Sequence, residues 1–477
     1  MLNLPDTVKL SRRSLLAGVA AVAASPGVAV APERVFTPEM FGAKGDGVTD
    51  DSDAMAALSG AVSIHGGGSV RFRPVTYRVG RQALTNRPGA RHVWEEAPLL
   101  TFYRCHLPLR ILGNGARLQC ADGLRYGTWN RDGSKLDHGM PYTGPGACTP
   151  YEAMITVQEC SGPIEVSDFD LDGNLPKLRI GGGFGDQGFQ IHALGLALYN
   201  NLGSEVVRNV HTHHHAQDGL YIDGLDTDAA ATRRRLMFNV KSEYNGRQGC
   251  SISGGRGYVF ERCQFNHTGR AGVASAPGCG VDIEAENKRN RGHRFVGCTF
   301  SDNFGAGMAA DTGDSEDLVF TDCRFVGTTS WSAWPNKPRM RFERCSFNGA
   351  MCRAWGDDDP ARAAQFRDCV FRDDPKLSPT GKVDGGSNPG HPLADLSDWQ
   401  NVLFERCRFL ALHGFVLPWS TRVIYADCVM QQTSNNGSLP RGTYRGRSVV
   451  TGNATLSGSK VPGEVVLNGK SYAHTQL

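Results

Sequence analysis

From residue 258 onward one alternation of apolar and polar positions recurs: "YVFERCQF" (258–265), "HRFVGCTF" (293–300), "LVFTDCRF" (318–325), "MRFERCSF" (340–347), "AQFRDCVF" (364–371) and "VLFERCRF" (402–409). A degenerate copy, "VIYADCVM" (423–430), follows. In the first six, Phe stands three positions before the Cys and two after it. The cysteines are Cys263, Cys298, Cys323, Cys345, Cys369, Cys407 and Cys428, at gaps of 35, 25, 22, 24, 38 and 21 residues. A repeat unit just above twenty residues, with insertions, predicts a solenoid. Each unit is strand-like, with Gly, Asn and Asp at its corners. The expected fold is therefore all-β, a right-handed parallel β-helix in which equivalent residues stack about 4.8 Å apart.

A second pattern fixes a register. "GLALYN" from Gly195, "GLYIDG" from Gly219, "GCSISG" from Gly249, "GVDIEA" from Gly280 and "GMAADT" from Gly307 each place a Gly before alternating apolar residues. Stacked in this register, Leu196, Leu220, Cys250, Val281 and Met308 form one inward column, and Leu198, Ile222, Ile252, Ile283 and Ala310 another. Two outward columns remain: Ala197, Tyr221, Ser251, Asp282, Ala309, and Tyr199, Asp223, Ser253, Glu284, Asp311. Weaker coils are expected in 107–120, 154–174 and 195–215. The segment 41–62 differs: a Gly- and Asp-rich turn leads into a helix over Ser52 to Val62, suited to capping the open end of a β-helix.

That turn reads "FGAKGDGVTDD" (41–51) and resembles the opening motif of the pectate-lyase superfamily, which includes polygalacturonase-like hydrolases, polysaccharide lyases and phage tailspikes. The resemblance implies a carbohydrate-active right-handed β-helix. The tailspike members imply a homotrimer as one assembly. The sequence contains neither "GHG" nor "RIK", so no polygalacturonase catalytic residue is carried over. The expected organisation is a signal peptide over 1–31, an opening segment with the capping helix over 32–75, the β-helix over 76–433 and C-terminal strands or a tail over 434–477.

The expected signal peptide is "SRRSLLAGVAAVAASPGVAVA" (11–31), with Arg12 and Arg13 ahead of a short apolar run. The twin arginine resembles a Tat signal. It predicts an exported protein, periplasmic or secreted, with no membrane attachment after cleavage. The chain holds 14 cysteines, which in an exported protein would suggest disulfides, but the ladder places seven of them as buried small apolar groups. A net charge of +3, with no P-loop and no dinucleotide fingerprint, argues against nucleic acid or nucleotide as partner.

The acidic columns carry the candidate chemistry. Asp223, Asp282, Glu284 and Asp311 fall on neighbouring coils, and stacked carboxylates raise one another's pKa. A pair of carboxyls at roughly 5–5.5 or 6.5–9.5 Å is what retaining or inverting glycoside hydrolysis needs. Asp282, Glu284 and Glu286 are expected to share one strand face. The alternatives are a solvated polar face and a calcium site. Nearby loops offer sugar-binding groups: Asn245, Arg247 and Gln248; His267 and Arg270; Lys288 and Arg289. Tyr221 lies in the groove column. The insertions 124–151 and 328–338 bring Tyr126, Trp129, Tyr142, Tyr151, Trp331 and Trp334, aromatic walls for sugar rings. In "VHTHHHAQDG" (210–219), His213 and His215 are expected on one strand face as binding groups; no third ligand is fixed by spacing, so no metal site is read there.

The leading expectation is a polysaccharide-cleaving hydrolase with no cofactor. The second is a lyase or C5-epimerase on a uronate-containing glycan, using Arg247, Arg270, Lys288 and His267, with Ca2+ on the acidic ladder. The third is a non-catalytic glycan-binding or tailspike-like protein.

Overall fold

Each repeat contributes short strands that pair in parallel with the same strands of the coils before and after it. A ten-stranded sheet forms one face of the solenoid, a 26-stranded sheet, with two strand segments per coil, forms most of the rest, and five further strands make a small third sheet. The computed structural model describes residues 34–85, 93–136, 147–182, 191–386 and 390–477. Within it Val35–Leu477 is one unit. The expected signal peptide and Tyr142 lie outside the described residues. The fold is the parallel β-helix that the repeat predicts, with the right-handed turn that parallel crossovers take. Among the described residues no helix is long and apolar enough to cross a membrane.

The backbone of the ten-stranded sheet is a run of eight strands in coil order: β1 (Leu100–Tyr103), β2 (Ala153–Gln158), β3 (Leu194–Tyr199), β4 (Asp218–Asp223), β5 (Gln248–Arg256), β6 (Val281–Ile283), β7 (Met308–Ala310) and β8 (Trp334–Pro335). Its register is the one read from the glycines: Leu220 pairs with Leu196 and Cys250, Val281 with Cys250 and Met308, and Asp282 with Ser251 and Ala309. The glycines are there for closeness. A Cβ on Gly249 would sit 2.4 Å from the carbonyl of Gly280, and one on Gly280 2.5 Å from that of Gly307. Two expectations fail locally. Asp223 pairs with Gly254 across a bulge, not with Ser253. Strand β6 also ends at Ile283, and a separate strand, Ala285–Arg291, pairs elsewhere in the sheet. Asp282 and Glu284 therefore do not lie on one continuous strand, although both line the same cavities, and the Glu286 side chain lies outside the described residues.

The core is a set of stacked columns. Phe295 lies 4.7 Å from Phe320, and Phe320 lies 4.9 Å from Phe342, each pair parallel and fully buried. The ladder cysteines are buried free thiols. Each reaches the carbonyl of a residue one coil back, as Cys298 does to Phe260, Cys323 to Phe295 and Cys345 to Phe320, all at 3.4 Å. A thiol is thus small enough for the corner and can also donate weakly. Past Ser434 the ladder continues as Tyr444 on Tyr425, and Lys460–Leu467 with Lys470–Gln476 forms an antiparallel hairpin at the end. Truncating Phe320 to Ala should cost about 3–5 kcal/mol by opening a cavity between two rings, to be read by chemical denaturation.

Helix α1 (Ser52–His65) caps the first coil, packing Met55, Leu58 and Val62 inward and ending at Gly66 with φ 88°. It runs past the predicted Val62. The opening motif has a mechanical reason: the buried Asp51 carboxylate accepts the Lys44 and Gly45 amides at 2.6 and 3.0 Å, holding the turn against the helix.

Candidate functional site

The outward face of β1–β8 carries three cavities in line, of about 270, 290 and 230 Å3. His192 borders the first and second, and Asp282 and Glu284 border the second and third. They form one groove running across the strands, and eight strands at about 4.8 Å give it a length of roughly 30 Å. Tyr221, Asp223, Arg247, Asp282, Glu284 and Lys288 line its middle, and Asp311 and Trp334 line its far end with Asp282 and Glu284. Trp331 stands edge-on to Trp334 at 5.1 Å, and neither indole N–H meets a protein acceptor.

Asp282 sits at the junction of the second and third cavities and is 9% exposed. Burial, then the neighbouring Glu284 carboxylate, push its pKa up to about 7, against the pull of Arg247. Gln248 holds it in place. The Gln248 Oε1 accepts the Cys279 amide at 2.9 Å, which fixes the amide orientation, so Nε2 must donate to Asp282 Oδ2 at 2.9 Å. With Oδ2 accepting, Oδ1 is left to carry the proton. Asp311 is also raised, by burial and by Glu284. Glu284 receives a hydrogen bond from the Thr312 hydroxyl. Lys337, largely buried, donates to the Gly313 carbonyl at 2.8 Å and draws Asp311 down in part.

The groove's basic groups are each held by a carboxylate. Arg247 forms a forked ion pair with the fully buried Asp218, with Nε to Oδ1 at 2.8 Å, and Ser251 donates to Asp218 Oδ2 at 2.8 Å. Lys288 Nζ lies 2.7 Å from Asp223 Oδ1 and 2.6 Å from Asn200 Oδ1. Tyr221 accepts from Ser253 at 3.0 Å and tilts against Tyr199 at 5.6 Å, so the groove floor has an aromatic patch.

Several expected binding residues lie elsewhere, each for a local reason. His214 adopts φ 56°, which ends the strand alternation, so His213 and His215 do not share a face. His215 is fully buried between Tyr151 Oη at 2.9 Å and the Leu171 carbonyl at 3.1 Å, and burial lowers its pKa to about 3. His213 faces Asp170 on the larger sheet. Asn245 is buried and engaged, accepting the His215 amide and donating to Ser242. His267 binds Asp302 at 2.9 Å, and Arg270 reaches the Asp302 carbonyl and Thr328. Arg289 pairs with Asp226. Trp129 is 1% exposed, donating to the Tyr126 carbonyl with Arg125 and Arg179 near its ring, so it walls no groove.

The structure adds residues that the sequence pattern passed over. Gln217 and His192 come from just before the strands and Asp218 from the first position of β4, ahead of the Gly at which the sequence reading starts each strand. Gln217 is buried at the groove wall, and its Oε1 meets no protein donor. Asn287 comes from the strand Ala285–Arg291 that follows β6, and Thr312 from the turn that follows β7.

No family model matches the chain, and no curated protein does. Among solved structures it is similar to the A-module of the mannuronan C-5 epimerase AlgE4 of Azotobacter vinelandii, at 13% identity over 89% of this chain and 96% of that one, with a TM-score of 0.46. It is also similar to the tailspike protein gp49 of Acinetobacter baumannii bacteriophage Fri1, a capsular polysaccharide depolymerase (13%, 89% and 64%, TM-score 0.39). A third is the exopolygalacturonase of Thermotoga maritima (12%, 92% and 93%, TM-score 0.29). The likeness is in the winding of the chain and assigns no residue a role.

Proposed function

We propose that the protein is an exported glycoside hydrolase that cleaves a polysaccharide laid along the groove of β1–β8. The observation that carries this reading is the placement of Asp282: a buried carboxyl, its pKa raised to about 7, beside Glu284 at the centre of a long polar groove. A carboxyl whose surroundings raise its pKa, standing beside a second carboxyl, is suited to the acid role of such a pair. Asp282 is the general acid, giving the Oδ1 proton to the leaving glycosidic oxygen. Glu284, which accepts from the Thr312 hydroxyl, is the base or nucleophile on the other side of the bond. Asp311 adds negative charge that favours an oxocarbenium-like transition state. Trp334 and Tyr221 offer faces on which sugar rings can lie.

A lyase needs cations to neutralise a substrate carboxylate. The groups nominated for that task, Arg247, Arg270, Lys288 and His267, are each engaged by a carboxylate of the protein itself, which supports hydrolysis over elimination. The N-terminal twin-arginine pattern supports export.

The test is a screen of the purified protein lacking residues 1–31 on neutral and acidic polysaccharides, following reducing ends and ultraviolet absorbance together. New reducing ends without absorbance are expected, and Glu284→Gln should remove them. Absorbance from an unsaturated uronate would replace this reading with a lyase. Binding without cleavage would replace it with a glycan-binding protein.

A further inference from the structure

Away from the groove, the larger sheet gathers a second set of polar groups. His211 and His213 are two residues apart on the strand Glu205–His213, so they share a face. On the preceding strand Asp170 pairs with His211 and Asp172 with His213; on the following one Lys241 pairs with His211 and Glu243 with His213. The two imidazole rings lie 4.3 Å apart. Both turn one nitrogen to the same oxygen: His213 Nε2 is 2.7 Å, and His211 Nδ1 3.8 Å, from Asp170 Oδ1. Both turn the other nitrogen toward a different carboxylate. His211 Nε2 is 3.4 Å from Glu243 Oε2, and His213 Nδ1 is 3.7 Å from Asp172 Oδ1 and 2.6 Å from His214 Nδ1.

We propose that Asp170, His211 and His213 bind one divalent transition-metal ion of the zinc class. One ligand atom from each lies within 4.8 Å of the others. Two imidazoles and one carboxylate are a donor set for zinc and its neighbours, not for calcium, which takes oxygen. Imidazoles that ligate a metal usually give their second nitrogen to a carboxylate, which sets the tautomer and raises basicity. Glu243 stands in that place for His211, at 3.4 Å, while the second nitrogen of His213 meets His214 at 2.6 Å with Asp172 behind it at 3.7 Å. Arg117 pairs with Asp172 and lies 3.7 Å from Asp170 Oδ2, so Oδ1 is left to the metal. Three carboxylates, Asp170, Asp172 and Glu243, face the permanent charges of Arg117 and Lys241, leaving the cluster one negative charge in excess with neutral histidines. The side chains of Asp170 and His211 are 34% and 40% exposed, so water can complete the coordination. This site does not depend on the reaction in the groove.

The experiment titrates the metal-free protein with Co2+, then displaces it with Zn2+. One equivalent of Co2+ is expected, with visible bands of nitrogen and oxygen coordination and no thiolate charge-transfer band. Asp170→Asn and His211→Gln, nearly isosteric, should abolish that equivalent while circular dichroism is unchanged. Glu243→Gln should weaken it about ten- to a hundredfold, and Asp282→Asn should leave it intact. Absence of stoichiometric binding, binding unaltered by Asp170→Asn and His211→Gln, or a thiolate band that moves the ion to the cysteines would each overturn the proposal.

Discussion

Asp282→Asn should abolish turnover and at the same time make the folded protein more stable above neutral pH. Loss of a general acid lowers kcat by about a hundred- to ten-thousandfold, and Asn is close to isosteric, so substrate binding should change little. The stability gain follows from linkage. In the unfolded chain Asp282 releases its proton near pH 4; in the fold, burial and the adjacent Glu284 hold the proton to about pH 7. Between those values the native state binds more protons than the unfolded state, so this residue makes stability fall as pH rises. Above pH 7 the full penalty is present, up to about 4 kcal/mol for a shift of about three pH units. Asn has no proton to lose and escapes it. Its Oδ1 can still accept from Gln248. Denaturation of both proteins at pH 4 and pH 8 checks this: the variant should gain on the wild type between the two. An equal difference at both pH values would mean that Asp282 ionises normally, and the acid role would fall with it. In the wild type, kcat should decline as pH rises through about 7.

Arg247→Met should have the second large effect, in the opposite direction. Asp218 is fully buried, and its carboxylate is answered by the Arg247 fork and the Ser251 hydroxyl. Removing the guanidinium leaves a buried charge short of its partner, which costs about 3–5 kcal/mol. It also removes the cation that restrains Asp282, whose pKa should then climb further. The alkaline limb of the pH–rate profile should move up while stability drops. The double variant Asp218→Asn, Arg247→Met should recover most of the lost stability, since no unpaired charge remains. If the single variant is as stable as wild type, the pair is not isolated from water as the structure has it.

Within the groove, the two effects separate two kinds of residue. Asp282 is destabilising by itself and is retained in a fold that would be more stable without its charge, as residues serving chemistry often are. The Asp218–Arg247 pair acts on it from both sides: Arg247 pulls its pKa down and Asp218 pushes it up. Gln248 supplies the orientation. On the proposed reading, Asp282 as proton donor, Gln248 as its orienting partner and the Asp218–Arg247 pair as its electrostatic neighbour stand on three successive coils.

The sequence by itself determined the solenoid, its register and the columns. A residue such as Phe320 or Cys323 repeats coil after coil, and each repeat is an independent statement of the same inward position. Gly249 and Gly280 mark the strand starts because backbone carbonyls of the next coil pass too close for a Cβ. The acidic column could be read for the same reason: once the inward columns are set, Asp223, Asp282, Glu284 and Asp311 must lie outside. What only the tertiary structure decided are features that occur once. A single left-handed residue, His214, sends His215 into the core and leaves His213 on another sheet. Trp129 lies in an insertion whose path has no period, and it packs inward against the chain. The third member of the His211–His213 cluster, Asp170, comes from a coil about forty residues earlier, a separation set by loop lengths and not by any local pattern. Whether a carboxyl keeps its proton or a guanidinium is engaged depends on burial and neighbours across coils. Those are properties of the packed solid, and a repeat of apolar positions does not encode them.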